Sequence, residues 1–170
     1  MIRWIPAVLV SLIWLGLSLR AARARQYWRL LWWLGCWGLS LLTWTPIAFS
    51  FGSDSVSVIT THWIAGGIWV LQPLGRGSVD ASFWCNILMT VPQGWLLRLN
   101  WPRLRWPHWL LAGLATGLSL EAGQALGNWL VSLGRWVDIN DVITNCTGIV
   151  IGAALATLGQ HYWSKKFEGD

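Results

Sequence analysis

Three carboxylates, one guanidinium and three amide side chains in the second half of the chain could together form a chemically competent site. Carboxylates serve as general acids and bases or as oxygen ligands of a divalent cation, and an arginine can hold an anionic phosphate or carboxylate. The catalytic candidates are Glu121, Asp138 and Asp141, and the substrate-binding candidates are Arg135, Asn86, Gln124 and Asn145. The sequence shows no Ser-His-Asp, Cys-His or histidine-rich zinc arrangement.

Most of these residues also have a structural explanation. Asp138 or Asn140 could cap the last helix, and Asp80 or Ser82 could cap the third. Asn145 and Gln124 could be interhelical hydrogen-bonding groups. Glu121 is harder to explain in this way, because an ionised carboxylate within a membrane span costs about 2.5–3.5 kcal/mol on insertion scales. Its nearest candidate partner is Arg135, and a purely structural ion pair between the two residues stays open.

Helical spacing places the candidates on shared faces. One stripe follows intervals of 3, 4, 3 and 4 residues, a second follows 4, 4, 3 and 4, and each fits within about 80° of arc on a helix. The first stripe comprises Asp138, Asp141, Asn145, Gly148 and Gly152, and the second comprises Gly113, Gly117, Glu121, Gln124 and Asn128. A third helix carries Asn86, Thr90 and Gln93 on one face.

The two longer stripes predict how their helices meet. If the helices are antiparallel neighbours, their glycine halves face each other and permit close backbone contact, while their polar halves open into a pocket at the other end. We therefore predict that Gly113 and Gly117 pack against Gly148 and Gly152. A leucine at Ala153, which lies off the stripe, is predicted to be tolerated.

The elements that carry these stripes are long apolar segments. Of the 170 residues, 55% are hydrophobic, 11% are charged and 17 are tryptophan. Soluble domains carry about a quarter charged residues, and indole rings favour the headgroup level of a bilayer. The composition therefore predicts an all-α bundle of about five transmembrane spans, in a single membrane domain over residues 1–170. The five apolar runs lie at 4–19, 28–47, 83–99, 109–126 and 142–162.

The basic residues predict the orientation of the bundle. Nine of the twelve Lys and Arg residues fall within 20–29, 98–108 and the tail from 163, which is typical of cytoplasmic loops. The other three are Arg3, Arg76 and Arg135. This distribution predicts an external N-terminus, a cytoplasmic C-terminus and a polar pocket at the external face. Because the basic residues lie between apolar runs, no nucleic-acid partner is expected.

A sixth apolar segment, 56–74, is predicted not to cross the membrane. A full span there would move the basic residues of 98–108 to the outside. Its threonines, its histidine and the pair Gly66 and Gly67 favour a re-entrant or interfacial helix.

Four motifs together resemble the VanZ-like family of small bacterial membrane proteins. They are Cys85-Asn86-Ile87-Leu88 with Pro92-Gln93-Gly94, then Glu121-x-x-Gln124, then Arg135-x-x-Asp138-x-x-Asp141, then Asn145-x-x-Gly148-x-x-x-Gly152. They cover about residues 80–155, and Gln93 departs from the apolar residue expected between the proline and the glycine. The resemblance implies a multi-pass protein of the bacterial cytoplasmic membrane, with a namesake linked to resistance against the glycopeptide teicoplanin. It supplies no agreed activity.

Two classes of function fit these residues. The first is action on, or binding of, an envelope lipid, glycan or glycopeptide-related ligand at the external membrane interface, with the carboxylates as acid–base groups or as ligands of a divalent cation. The second is a non-catalytic membrane partner subunit or a small transporter. The absence of visible internal repeats in the sequence makes the transporter the weakest of these.

Overall fold

Five long helices make up most of the structure. The computed structural model describes residues 1–46, 60–75 and 77–167, with side chains described to residue 163. The helices are α1 (Ile5–Arg23), α2 (Tyr27–Trp44), α3 (Ala81–Asn100), α4 (Trp106–Val131) and α5 (Ile139–Phe167). Each corresponds to one apolar run, with ends shifted by a few residues.

Three short strands form a small sheet between the helices, so the predicted all-α class is corrected. The strands are β1 (Thr61–Ile64), β2 (Gly67–Val70) and β3 (Trp136–Asp138), in the order β1-β2-β3. β1 and β2 are antiparallel, whereas β2 and β3 are parallel, with Val70 opposite Asp138. The sheet therefore connects the segment before α3 to the junction between α4 and α5.

The prediction of a re-entrant or interfacial helix at 56–74 is wrong for the described part of that segment, because β1 and β2 form a hairpin there. Residues 56–59 lie outside the described residues. The strands are rich in β-branched and aromatic side chains, which favour a pleated surface. Their two-residue turn places Ala65 at φ +47° and Gly66 at φ +78°, and positive φ at both positions defines a type I′ hairpin turn.

Helix α5 lies between α3 and α4 and contacts both. Helix α2 packs against α3 and α4, and α1 packs on α2 at the outside of the bundle. The core is accordingly centred on α5, where Ile149, Ala153 and Ala156 are almost completely buried. The helices that carry the two glycine-containing stripes, α4 and α5, are therefore in contact within this bundle.

The predicted pairing of the glycines is wrong, because the two glycine pairs face different partners. A Cβ atom at Gly113 or Gly117 would collide with the backbone of α5 at Cys146 or Val142. A Cβ at Gly148 or Gly152 would instead collide with the backbone of α3. The reason is that α5 contacts two helices, and its glycine flank is turned towards α3.

Ala153 also departs from its prediction. Its side chain is 0% exposed, so a leucine at this position would have to displace neighbouring atoms. The sequence stripe identified one contact face of α5, whereas the helix has contact faces on both flanks. Tolerance of leucine at Ala153 is therefore no longer expected.

The basic residues of the described helices gather at one end of the bundle. Arg20 and Arg23 lie in the last turn of α1, and Arg98 lies in the last turn of α3. Arg98 donates to Thr157 Oγ1 in the C-terminal part of α5 at 2.9 Å, and Asn100 donates to the Trp28 carbonyl at the start of α2 at 3.0 Å. The ends of α1, α3 and α5 are thus held together with the start of α2.

Among the described helices, two are long and apolar enough to cross a membrane by length and composition, Ile2–Arg23 and Ile139–Trp163. Much of the surface of α1 is apolar and exposed, as at Val8, Leu12 and Ile13. Contiguous exposed apolar surface is rare on soluble monomers and marks a membrane or protein contact.

Candidate functional site

The predicted site residues lie at the end of the bundle opposite the basic end. Helices α3 and α5 begin there and α4 ends there, with β3 joining α4 to α5. Helix α3 starts at Asp80, whose carboxylate caps it by accepting the Phe83 N–H at 3.0 Å. The capping alternative considered for Asp80 is therefore confirmed.

Glu121 connects α4 to the start of α5. Its side chain is only 6% exposed, and its Oε2 accepts the Asp138 N–H at 2.7 Å. A hydrogen bond from an N–H to a carboxylate is stronger than one between neutral groups. Glu121 thus holds the β3–α5 junction against α4 with one of its two oxygens.

Asp141 connects α5 to α3. Its Oδ1 accepts a hydrogen bond from Asn86 Nδ2 at 2.6 Å. Asp141 lies in the first turn of α5, where a negative charge interacts favourably with the helix dipole. The predicted proximity of Asn86 and Asp141 is thus present in the structure.

Asp138 caps the start of α5. Its Oδ1 accepts from both the backbone N–H and the side-chain Nδ2 of Asn140 at 2.8 Å. Burial raises the pKa of Asp138, the two bonds from Asn140 oppose this rise, and the charge of Asp80 adds to it. The geometry favours the capping alternative for Asp138, although its second oxygen is not used in these bonds.

Asn128 positions Arg135 by bonding to both of its backbone polar groups. Asn128, at the end of α4, donates from Nδ2 to the Arg135 carbonyl at 2.7 Å and accepts the Arg135 N–H through Oδ1 at 2.8 Å. The guanidinium reaches across the bundle and donates to the Leu42 carbonyl on α2. Burial lowers the pKa of Arg135, whereas the charges of Glu121 and Asp141 raise it.

The predicted Glu121–Arg135 pair takes a looser form than a bidentate contact. Glu121 accepts the Asp138 backbone N–H, and Arg135 donates to the Leu42 carbonyl, while Glu121 favours the charged form of Arg135 electrostatically. Arg135 is attracted by Asp141 as well as by Glu121. The guanidinium therefore lies within electrostatic range of two acidic side chains.

Two amide oxygens of the site have no hydrogen-bond partner among the described residues. These atoms are Gln124 Oε1 on α4 and Asn145 Oδ1 on α5, and both are buried. Asn145 as a whole is only 2% exposed. An unsatisfied buried acceptor costs about 1–3 kcal/mol, so an external donor at these atoms would be stabilising.

The third predicted face does not belong wholly to the site. Thr90 is completely buried and donates to carbonyls of its own helix, next to Gly148. Gln93 donates to the Trp32 carbonyl and to Cys36 Sγ on α2, both at 2.9 Å. Gln93, which departs from the expected family motif, therefore connects α3 to α2.

Sequence reasoning missed the roles of two asparagines that position the loops of the site. Asn128 appeared only as the last member of a stripe, yet it holds both backbone groups of Arg135. Asn140 accepts the Leu74 N–H at 2.6 Å and so ties the segment after the hairpin to α5. An asparagine at each end of the α4–α5 connection was the available signal, because its side chain can both donate and accept.

In the part of the chain that the structure describes, no three His, Cys, Asp or Glu side chains converge closely enough to share a metal ion. The carboxylates of Glu121, Asp138 and Asp141 are instead held by three separate sets of hydrogen bonds. A divalent cation stays an untested expectation from the sequence.

Comparison with known proteins assigns a family to this arrangement. The model of the VanZ/LLP1 family matches residues 7–160. The match includes α1 and α2 and so extends beyond the motif region of about 80–155 that carried the resemblance in the sequence. No curated protein and no solved structure matches the chain. With nearly its whole length matched, the chain belongs to the VanZ/LLP1 family.

Proposed function

We propose that this protein is a multi-pass protein of the bacterial cytoplasmic membrane that binds the polar part of an envelope ligand at its external face. All five long helices cross the bilayer in this proposal, with the N-terminus outside and the C-terminus in the cytoplasm. Family membership and the two apolar helices support a membrane location. The basic end of the bundle supports the orientation, because lysines and arginines are enriched in cytoplasmic loops.

One observation carries the proposed binding role. At the end opposite the basic residues, Gln124 and Asn145 each have a buried oxygen without a partner in the described part of the chain, one helical turn from Glu121 and Asp141 respectively. Ligand sites combine an enclosed setting with a few polar groups that fix orientation. An intramembrane carboxylate is a functional-site hypothesis by default, because a structural role alone does not require its cost.

Binding is the role that the geometry supports best. One oxygen each of Glu121, Asp138 and Asp141 accepts a hydrogen bond from the chain, which positions the carboxylate. The other oxygen of each carboxylate is the one that a ligand can use. Acid–base catalysis by these residues and a link to glycopeptide resistance stay predictions from the sequence.

The test is retention of an envelope molecule by protein purified gently from bacterial membranes and examined by native mass spectrometry. We expect the unaltered chain to retain a lipid or glycan, and Asp141→Asn to lower its occupancy about tenfold, because a hydrogen bond to a charged group contributes about 1.5–3 kcal/mol. Thr147→Val, on an exposed position of the same helix, is the matched control and should retain the ligand. Equal occupancy in all three proteins, or no retained envelope molecule, would contradict the proposal.

A further inference from the structure

Among the described residues, the two buried side-chain atoms of the site that have no hydrogen-bond partner are both acceptors, Gln124 Oε1 and Asn145 Oδ1. Asn145 lies one helical turn after Asp141 on α5, rotated from it by about 40°. Gly148 on the same helix faces α3, and Cys146 faces α4. Asn145 therefore lies between these two faces, at the junction of the three helices, and its buried Oδ1 has no partner among residues 1–46, 60–75 and 77–163.

Helix α4 contributes the second such atom. Gln124 lies one turn after Glu121 and within about 20° of the direction of Gly117, which faces α5. Its Oε1 is buried and unpartnered among the described residues. The two amide oxygens thus lie on the helix faces that also carry Glu121 and Asp141.

The charges at this end of the bundle favour the same kind of ligand as the amide oxygens do, one that supplies donors and positive charge. Asp80 and Asp138 repel each other, and Glu121 and Asp141 both attract Arg135. Carboxyl groups at this end outnumber the guanidinium, and an added cation would favour their ionised forms. A group that supplies both donors and positive charge would satisfy the amide oxygens and offset part of the repulsion between the carboxylates.

We infer that this site takes a primary ammonium group, with its N–H bonds directed at the oxygens of Asn145, Gln124 and the neighbouring carboxylates. An ammonium has three donors and no acceptor, which complements the buried, unpartnered oxygens of Asn145 and Gln124 and the oxygens of the neighbouring carboxylates. The inference rests on the proposed function and names the chemistry of its ligand. The ammonium comes either from the ethanolamine headgroup of a membrane lipid or from a free amine.

A quaternary ammonium should fit poorly, because it has no N–H donors. Quaternary groups are recognised by cages of aromatic rings rather than by oxygen acceptors. Phosphatidylethanolamine and phosphatidylcholine therefore form a matched pair of probes, with the same net charge and different donor content. Phosphatidylglycerol, with hydroxyl donors and a negative charge, completes the comparison.

The experiment titrates each lipid, with identical acyl chains, into the detergent-solubilised full chain and reads the bound fraction by native mass spectrometry. Phosphatidylethanolamine should bind at least about tenfold more tightly than the other two lipids, because its donors bond to buried, partly charged acceptors. Asn145→Leu should remove this preference, and Thr147→Val should leave it unchanged. Displacement by soluble ethanolamine would identify a free amine as a competent source, and failure to displace would identify the lipid.

Three results would overturn the inference. Equal binding of phosphatidylethanolamine and phosphatidylcholine would exclude selection by N–H donors, and a preference that survives both Asn145→Leu and Gln124→Leu would place the ammonium elsewhere. If Asn145→Leu does not fold, as judged by its thermal unfolding, Asn145→Asp gives the answer. The added carboxylate attracts both headgroups, but it should tighten phosphatidylethanolamine binding more than phosphatidylcholine binding, because only ethanolamine has N–H donors to bond to it. In the membrane-purification test, the unaltered chain should not retain a ligand that lacks a primary amine and that Asp141→Asn loses. If it does, this inference is overturned and the proposed function stands.

Discussion

Gly152→Ala is expected to lower the stability of the bundle sharply, although it adds a single methyl group. A Cβ at this position would overlap the Val91 carbonyl oxygen and lie 2.8 Å from the Trp95 nitrogen, so the atoms in its way are backbone atoms of α3. Backbone cannot rotate aside as a side chain can, and α3 and α5 would have to separate. We expect a loss of about 3 kcal/mol in the free energy of unfolding, at the upper end of overpacking effects.

The measurement is the thermal unfolding midpoint in detergent, and Gly38→Ala is the matched control. Gly38 lies in α2, and a Cβ there would meet no atom within 4 Å. The control should be neutral or slightly stabilising, because alanine favours a helix by about 1 kcal/mol over glycine. Gly94→Ala, whose Cβ would overlap the Ile149 carbonyl from the other side of the same contact, should behave like Gly152→Ala. Similar midpoints for Gly152→Ala and Gly38→Ala would show that α3 and α5 are not in close contact.

Arg135→Gln is expected to produce the second large effect, because it removes a cationic donor from the site. Arg135 is attracted by Glu121 and Asp141, and its guanidinium also donates to the Leu42 carbonyl. Arg135 is only part-buried, so we expect a loss of about 1–3 kcal/mol in the free energy of unfolding, because the Leu42 carbonyl loses a charged donor. Glu121→Gln should cost less, since a glutamine oxygen can still accept the Asp138 N–H.

A double-mutant cycle separates this coupling from the individual losses. The combined variant, Glu121→Gln with Arg135→Gln, should be more stable than the sum of the single losses by about 1–2 kcal/mol, within the range seen for residues of one network. Glu121→Gln combined with Arg98→Gln is the control, because Arg98 lies at the basic end and bonds to Thr157. Additive losses in both cycles would mean that Glu121 and Arg135 do not interact.

The helices could be predicted from the sequence because long apolar runs with few charges have few alternatives. The hairpin of β1 and β2 could not, because the mean apolarity of 56–74 resembles that of a helix and outweighed a local signal. That signal was the pair Ala65-Gly66 between β-branched and aromatic residues, which suits a two-residue hairpin turn. The average composition of 56–74 was therefore a poorer guide to its structure than its two turn residues.

The end at which the site residues lie was predictable, and their contacts were only partly so. Antiparallel helices bring the stripes of α4 and α5 to the same end, so Glu121 comes close to Asp138 as expected. The rotation of a helix about its own axis depends on all of the helices that pack against it, and these neighbours cannot be read from the sequence. For this reason Gly148 and Gly152 were assigned to the wrong partner helix, and the backbone role of Asn128 was missed.

The central claim is that the polar site opens at the external face of a membrane-spanning bundle, and cysteine accessibility in intact cells tests it most directly. Ala81→Cys places a cysteine at the site end, beside Asp80, and Ala24→Cys places one at the basic end. Both alanines are exposed and lie at helix ends. Each is compared with the parent chain, which retains Cys36, Cys85 and Cys146. With a membrane-impermeant maleimide, Ala81→Cys should add a label in intact cells, whereas Ala24→Cys should add one only after the membrane is opened. Labelling of Ala24→Cys from outside, with Ala81→Cys protected, would place the site on the cytoplasmic face and contradict the account.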